Sequence, residues 1–231
     1  MKHSGKARKA AFKLILLSLI AVIVVWALSL LGAAAVATVV AIMTVIAPFV
    51  FFLWVLFAIF TLYFFRDPEA RPPSGVGLVV SPAHGKIDVI DTITEREVMG
   101  GECRRISMFL SVINVHVQNA PVSGKVNFLK YTMGEFMNAI RSECAACNEN
   151  VLMGFEATDP QGQMIGLRLV AGVIARRIVP FVKAGDEVLR GERISLIQFG
   201  SRAEVYLPLS AQIKIKIGDT VVGGETILAS F

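Results

Sequence analysis

Hydrophobic positions divide this chain in two. From Leu14 to Phe65 no side chain is charged, whereas beyond Arg66 apolar residues come in short runs broken by glycine, proline and charge. The first stretch is 52 residues long. About 20 apolar residues cross the hydrocarbon core of a membrane, so it predicts two helices joined by a tight turn. Gly32-Ala33-Ala34-Ala35 is the predicted turn, and Pro48 the predicted kink of the second helix. The run is too long for the apolar region of a cleaved signal peptide, which spans ~7–15 residues.

After the hairpin, Arg66-Asp67-Pro68-Glu69-Ala70-Arg71-Pro72-Pro73 makes a polar, proline-rich exit. The predicted organisation is therefore a basic arm over 1–13, a transmembrane helical hairpin over 14–65 and one compact domain over 66–231. Within that domain the β-branched runs Val76–Val80, Ile87–Ile93, Arg105–Val112, Gly124–Lys130 and Ile165–Ile174 predict strands. Phe136, Met137 and Ile140 recur at helical spacing and predict one helix from Met133 to about Cys147. A repeat is also visible. Gly185-Asp186-Glu187-Val188 through Gly191-Glu192-Arg193-Ile194 returns 33 residues later as Gly218-Asp219-Thr220-Val221 through Gly224-Glu225-Thr226-Ile227. Two such strand–turn–strand copies resemble the halves of a lipoyl- or biotinyl-type β-sandwich. The expected fold class is thus mainly β (α+β) with a lipoyl-like β-sandwich repeat, preceded by the hairpin.

Charge and cysteine content narrow the picture. The chain carries 55% hydrophobic residues, a mean hydropathy of +0.64 and a net charge of +5. Lys2, Lys6, Arg8, Lys9 and Lys13 precede the first span, and Arg66 and Arg71 follow the second. Positive flanks favour the cytoplasmic side, so both ends and the domain are expected there, on the inner face of the cell membrane. The basic excess adjoins a membrane segment, which argues for an anionic lipid surface and against nucleic acid. Cys103, Cys144 and Cys147 are too few for a disulfide framework, and Cys144-Ala-Ala-Cys147 lacks the second pair of a zinc site. No metal is expected.

Two runs carry candidate chemistry. In Phe199-Gly200-Ser201-Arg202, between the two repeat copies, an unhindered glycine precedes a serine pinned between strands. Such a hydroxyl can attack its own peptide bond and become a carbonyl cofactor, although most Gly-Ser steps are plain turns. The second run, Ile113-Asn114-Val115-His116-Val117, embeds one histidine in an apolar strand. His116 is either a satisfied core imidazole or, paired with an autoreactive Ser201, the general base.

Together with Phe64-Phe65-Arg66-Asp67-Pro68, Ser81-Pro82-Ala83-His84-Gly85, Phe109-Leu110-Ser111, Pro121-Val122-Ser123-Gly124, Tyr131–Ala139 and Asn148-Glu149, these runs resemble the short, membrane-anchored phosphatidylserine decarboxylases. The resemblance spans roughly three quarters of the chain. It implies a proenzyme cut between Gly200 and Ser201, large and small chains of one precursor, and a pyruvoyl cofactor derived from Ser201. It further implies decarboxylation of phosphatidylserine to phosphatidylethanolamine through a Schiff base to that group, with His116 as base and proton donor. The partner is then a membrane phospholipid, with Arg202 and Lys86 placed to hold its phosphate. A homo-oligomer is compatible with the reading but not specified by it.

One departure stands out. The family's Pro-Ala-Asp-Gly motif supplies an aspartate that orients the histidine, in the manner of a hydrolase triad; here His84 occupies that position. Either His84 hydrogen-bonds His116 or acts as the base itself, or Asp88 on the same strand face substitutes, or the chain matures slowly or is a non-catalytic homologue that does not mature. Asn114, near another family aspartate position, is a milder departure. An archaetidylserine decarboxylase would use the same chemistry. A lipoyl-type carrier lacks its tip lysine here, since Lys214 and Lys216 alternate within an expected strand, and a serine hydrolase lacks its Gly-x-Ser-x-Gly elbow.

Overall fold

The computed structural model describes residues 5–31, 36–135, 147–172, 177–198 and 201–231. The expected turn at 32–35, nearly all of the expected helix after Met133, Cys144 and Gly200 lie outside the described residues. The described chain forms two compact units, Gly5–Asp67 and a second that runs from Pro68 to Phe231.

In the first unit, α1 (Lys6–Leu31) and α2 (Val36–Phe64) are both long and apolar enough to cross a membrane. Only 6% and 11% of their most apolar windows are buried, which is not the behaviour of core helices. Lys6, Arg8, Lys9 and Lys13 of the basic arm lie within α1. Pro48 sits inside α2, and Trp54 Nε1 on α2 donates to Ser18 Oγ on α1 at 2.8 Å.

The second unit contains β1 (Leu78–Val80), β2 (Gly85–Glu95), β3 (Gly101–Leu110), β4 (Val117–Asn119), β5 (Ser123–Thr132), β6 (Asn150–Asp159), β7 (Gln161–Ala171), β8 (Arg177–Pro180), β9 (Glu187–Val188), β10 (Arg193–Gln198), β11 (Ser201–Leu207), β12 (Gln212–Ile213), β13 (Thr220–Val221) and β14 (Ile227–Ser230). An eight-stranded sheet runs β13-β2-β3-β11-β7-β6-β5-β9, accompanied by the three-stranded sheets β1-β14-β12 and β4-β10-β8. Lys214 and Lys216 follow the two-residue β12 and are exposed, so they are not the alternating strand positions expected.

The order of strands discloses a duplication larger than the sequence repeat. Read from either edge, the large sheet gives a short strand, a long hairpin and a central strand. The bonds between elements match pairwise. Gly185 N donates to Val126 O at 2.7 Å and Gly218 N to Ile87 O at 2.8 Å; Val126 N donates to Asp186 O and Ile87 N to Asp219 O, both at 2.9 Å. Gly191 N donates to Ala120 O at 2.8 Å and Gly224 N to Ser81 O at 2.7 Å. The second-half residues are 33 apart, as the sequence indicated, while their first-half partners (Val126 and Ile87, Ala120 and Ser81) are 39 apart. One repeat, β4 to β10, is contiguous. The other is split, with β1–β3 before the inserted copy and β11–β14 after it. The chain therefore passes between repeats twice, once from β3 to β4 over 111–116 and once from β10 to β11.

The core lies on one face of the large sheet. Along β11, Ala203, Val205 and Leu207 join the main apolar cluster with Ile106, Met108 and Leu110 of β3 and Leu167, Leu169 and Ala171 of β7. The alternate residues Arg202, Glu204 and Tyr206 face the other way, as the period of two requires.

Candidate active site

Both crossings between repeats end in a candidate catalytic residue. His116 is the last residue before β4, not within a strand as expected, and Ser201 is the first residue of β11. Each is fully buried.

Ser201 is held by pairing on both sides, opposite Leu110 of β3 and Ala171 of β7. Directly opposed residues share a face, and Leu110 and Ala171 belong to the apolar core, so the Ser201 side chain is directed toward that side. Its Oγ has no hydrogen-bond partner among the described residues. Leaving a buried hydroxyl unsatisfied costs about 1–3 kcal/mol, and most buried polar groups avoid it.

His116 is fixed by its own crossing. Ser111 N donates to Asn114 Oδ1 and Asn114 N to Ser111 O, each at 2.8 Å, closing a turn. That turn presents Asn114 O to His116 Nδ1 at 2.9 Å. A carbonyl only accepts, so Nδ1 carries the proton and, in the neutral ring, the basic lone pair belongs to Nε2. The tautomer needed for a base is thus set by a main-chain carbonyl, a role that residue-type matching could not reveal. His116 O accepts from Ile197 N at 3.1 Å and from Gln118 Nε2 at 2.7 Å, tying the histidine to the strand that leads to Ser201.

The His84 loop joins the same end of the sheet. Asn119 N donates to Pro82 O at 2.7 Å, Ser81 N to Thr226 O at 2.8 Å, and Ser81 Oγ to Ala83 O at 2.7 Å. Lys86 of β2 and Arg202 of β11 both pair with Phe109, one on each side of β3. Gly85, which follows the half-buried His84, is therefore level with Ser201 and about 10 Å from it in backbone terms, two strand spacings across.

Asp88 and Arg202 do not take the positions expected. Asp88 is the extra residue of a β-bulge, between Ile87 opposite Met108 and Val89 opposite Ser107. Its Oδ1 accepts from Arg202 Nη1 at 2.8 Å and its Oδ2 from Arg202 Nη2 at 2.6 Å, while Arg202 Nη1 also donates to Ser107 Oγ at 2.6 Å. The pair sits on the face of β11 away from the Ser201 side chain. Asp88 is thereby committed to Arg202 and not to His116. The fully buried guanidinium of Arg202 is spent on this pair and not presented to a phosphate. Lys86 is exposed, in the same row as Arg202 and so on that same far face.

Further along this face Tyr206 Oη donates to Glu204 Oε2 at 2.7 Å. Burial, reinforced by the Glu204 carboxylate, pushes the phenol well above its ordinary range. Glu149 also adjoins the site, since Ala171 N, beside Ser201, donates to Glu149 O at 2.9 Å. Burial and a hydrogen bond to the Glu149 carboxylate raise the pKa of Tyr131.

Comparison with known proteins accords with this arrangement. The phosphatidylserine decarboxylase family model matches residues 57–229. The phosphatidylserine decarboxylase proenzyme of Desulfotalea psychrophila is 45% identical over 168 residues, covering 73% of this chain and 78% of that protein. The proenzyme of Ruegeria pomeroyi is 42% identical over 170 residues, covering 72% and 77%, and that of Syntrophus aciditrophicus 41% identical over 171 residues, covering 74% and 79%. With the matched region taking in both crossings, the His84 loop and the whole of β11, this chain belongs to the phosphatidylserine decarboxylase family.

Proposed function

We propose that this chain is a self-cleaving proenzyme that matures between Gly200 and Ser201 and decarboxylates phosphatidylserine to phosphatidylethanolamine. The observation that carries the reading is the buried Ser201 Oγ, which has no hydrogen-bond partner among the described residues, at the start of a central strand. In the first step Oγ bonds to the Gly200 carbonyl carbon as the Gly200–Ser201 amide bond breaks, giving an ester and an amine on Ser201. His116 Nε2 takes the hydroxyl proton and returns it to the departing nitrogen. Loss of the Ser201 Cα proton then expels Gly200 as a carboxylate. Hydrolysis of the resulting enamine, through its imine, consumes one water and releases one ammonia, leaving a pyruvoyl group on the small chain.

The surroundings fit that group, because a methyl ketone at 201 suits the apolar flank of Leu110 and Ala171 better than a hydroxyl does. When present, the group supplies an electron sink for the carbanion left by loss of CO2, which no side chain provides. This chain's own residues do the rest. The Asn114 carbonyl holds the His116 ring, His116 moves the protons, and His84 stands where the family motif has its aspartate. The two apolar helices anchor the domain to the membrane, with their basic ends and the domain on the cytoplasmic side.

Intact mass of the purified protein tests the reading. Two chains are expected, the smaller starting at position 201 and lighter than its encoded peptide by one ammonia, with serine-lipid decarboxylation lost on hydroxylamine treatment. A single uncut chain in native membranes would overturn it in favour of a non-catalytic homologue. Turnover of a diether lipid in preference to the diester would make the enzyme an archaetidylserine decarboxylase.

A further inference from the structure

We propose that Arg202 is a positioning residue for the reactive end of the small chain, held by Asp88 across the neighbouring strand. The inference rests on cleavage before Ser201 as argued above. After such a cut, Ser201 changes from the middle of a continuous chain to a chain end, and strand ends open more readily than strand interiors. The residue whose carbonyl must meet the substrate amine would then sit at the part of β11 most prone to fray.

Arg202 is the next residue, and it is tied down unusually well. Its backbone pairs with Phe109 on one side and Val170 on the other. Its guanidinium, 0% exposed, makes a two-pronged ion pair with Asp88 at 2.8 and 2.6 Å and a third bond to Ser107 Oγ at 2.6 Å. Charge-assisted, bidentate pairs of this kind fix geometry as well as charge. The partners lie on β2 and β3, so after cleavage the clamp links the small chain to the large one. Because Arg202 faces away from the Ser201 side chain, it can anchor the end without entering the reaction space.

The duplication separates this role from a need of the fold. The bulge that aims Asp88 recurs in the other repeat between Val126 and Phe128. There the extra residue is Asn127, whose Nδ2 lies 3.4 Å from Met164 Sδ. The backbone device is common to both copies. The carboxylate occurs only in the copy that leads to Ser201.

The test compares full-length wild type, Asp88→Asn and Asp88→Glu in detergent, by intact mass, amide hydrogen exchange over 202–207, and kcat and KM on phosphatidylserine vesicles. Asp88→Asn is expected to be cut at the same bond. In the cut protein its 202–205 amides should exchange faster, kcat should fall by about 10²-fold, the loss a misplaced reacting group brings, and KM should stay unchanged. Asp88→Glu should recover most of both. In a Ser201→Ala background, where the strand keeps both tethers, Asp88→Asn should change the exchange far less. Equal exchange increases in cut and uncut backgrounds, or an unchanged kcat in cut Asp88→Asn, would overturn the clamp while leaving the cleavage reading intact. An uncut wild type would instead overturn cleavage itself, and the clamp with it. If Asp88→Asn does not accumulate as cut protein, Ser107→Ala, which removes the bond to Ser107 Oγ, is read by the same criteria.

Discussion

Where the split repeat has Pro82-Ala83-His84-Gly85-Lys86-Ile87, the contiguous repeat has Pro121-Val122-Ser123-Gly124-Lys125-Val126. Proline, glycine, lysine and a β-branched residue stand at the same places in each. A Cβ on Gly85 would come within 2.6 Å of Phe109 O, and one on Gly124 would collide with Glu156 O, so both glycines let a hairpin strand close on its neighbour. Ser123 Oγ accepts from Arg190 N at 2.9 Å, an ordinary turn-tying bond. The split repeat has His84 at that place and a carboxylate in its bulge. What the two copies share is backbone geometry, and what distinguishes them is the side chains His84 and Asp88 of the copy that leads to Ser201. A residue common to both copies therefore reads as a requirement of the fold, and one that differs as a candidate for chemistry.

Substitutions at matched positions can break that comparison. The largest effect is expected at Ser201, where Ser201→Ala abolishes both the second chain and lipid turnover, because no other hydroxyl occupies the position; two chains by mass would refute it. Next comes the matched pair of loops. His84→Ala is expected to slow self-cleavage by about 10²-fold, within the range for a general acid–base group. Ser123→Ala should leave cleavage unchanged and cost about 1 kcal/mol of stability through its lost bond. Time courses of the uncut precursor and denaturant melts read the two. His84→Asp, which puts a full negative charge where the family motif has one, should speed maturation about tenfold, equivalent to roughly 1.4 kcal/mol of barrier.

Smaller effects sharpen the same contrast. Gly85→Ala and Gly124→Ala should each destabilise by about 1–3 kcal/mol through overpacking, but only Gly85→Ala should also slow cleavage. Slowing by both would mean that the repeats are mechanically coupled. Least of all, Asp186→Ala and Asp219→Ala should cost about 1 kcal/mol each and match one another. Asp186 Oδ2 accepts from Lys183 N at 3.0 Å and Asp219 Oδ2 from Lys216 N at 2.9 Å. Unequal losses in chemical denaturation would weaken the equivalence of the two turns.

The sequence made some of this architecture legible and hid the rest for definite reasons. The Gly-Asp turns were visible at 33 residues because a turn with positive φ needs glycine, and Gly185 and Gly218 adopt φ of 99° and 97°. The hairpins of the same two repeats were not recognised as copies. Strand residues are interchangeable among β-branched types, and the copy at 39 residues is interrupted by the insertion of one repeat into the other. Ser201 and His116 could be singled out as candidates from their runs, since few residue types can do the chemistry proposed for them. The partner of His116 was not, because a main-chain carbonyl leaves no signature in residue type.

Sequence alone therefore determined the two apolar helices and the mainly β character of the domain beyond them, and it singled out the serine and histidine proposed for the chemistry. Each depends on local composition or on the identity of one side chain. Only the tertiary structure decided that Asp88 belongs to Arg202, that these two lie across the sheet from the Ser201 side chain, and that both crossings between repeats end in a candidate catalytic residue. Those facts depend on strand pairing and on which face a side chain takes. The single-residue bulge at Asp88, which shifts the register of every β2 residue from Val89 on, is likewise recorded by no local pattern in the sequence.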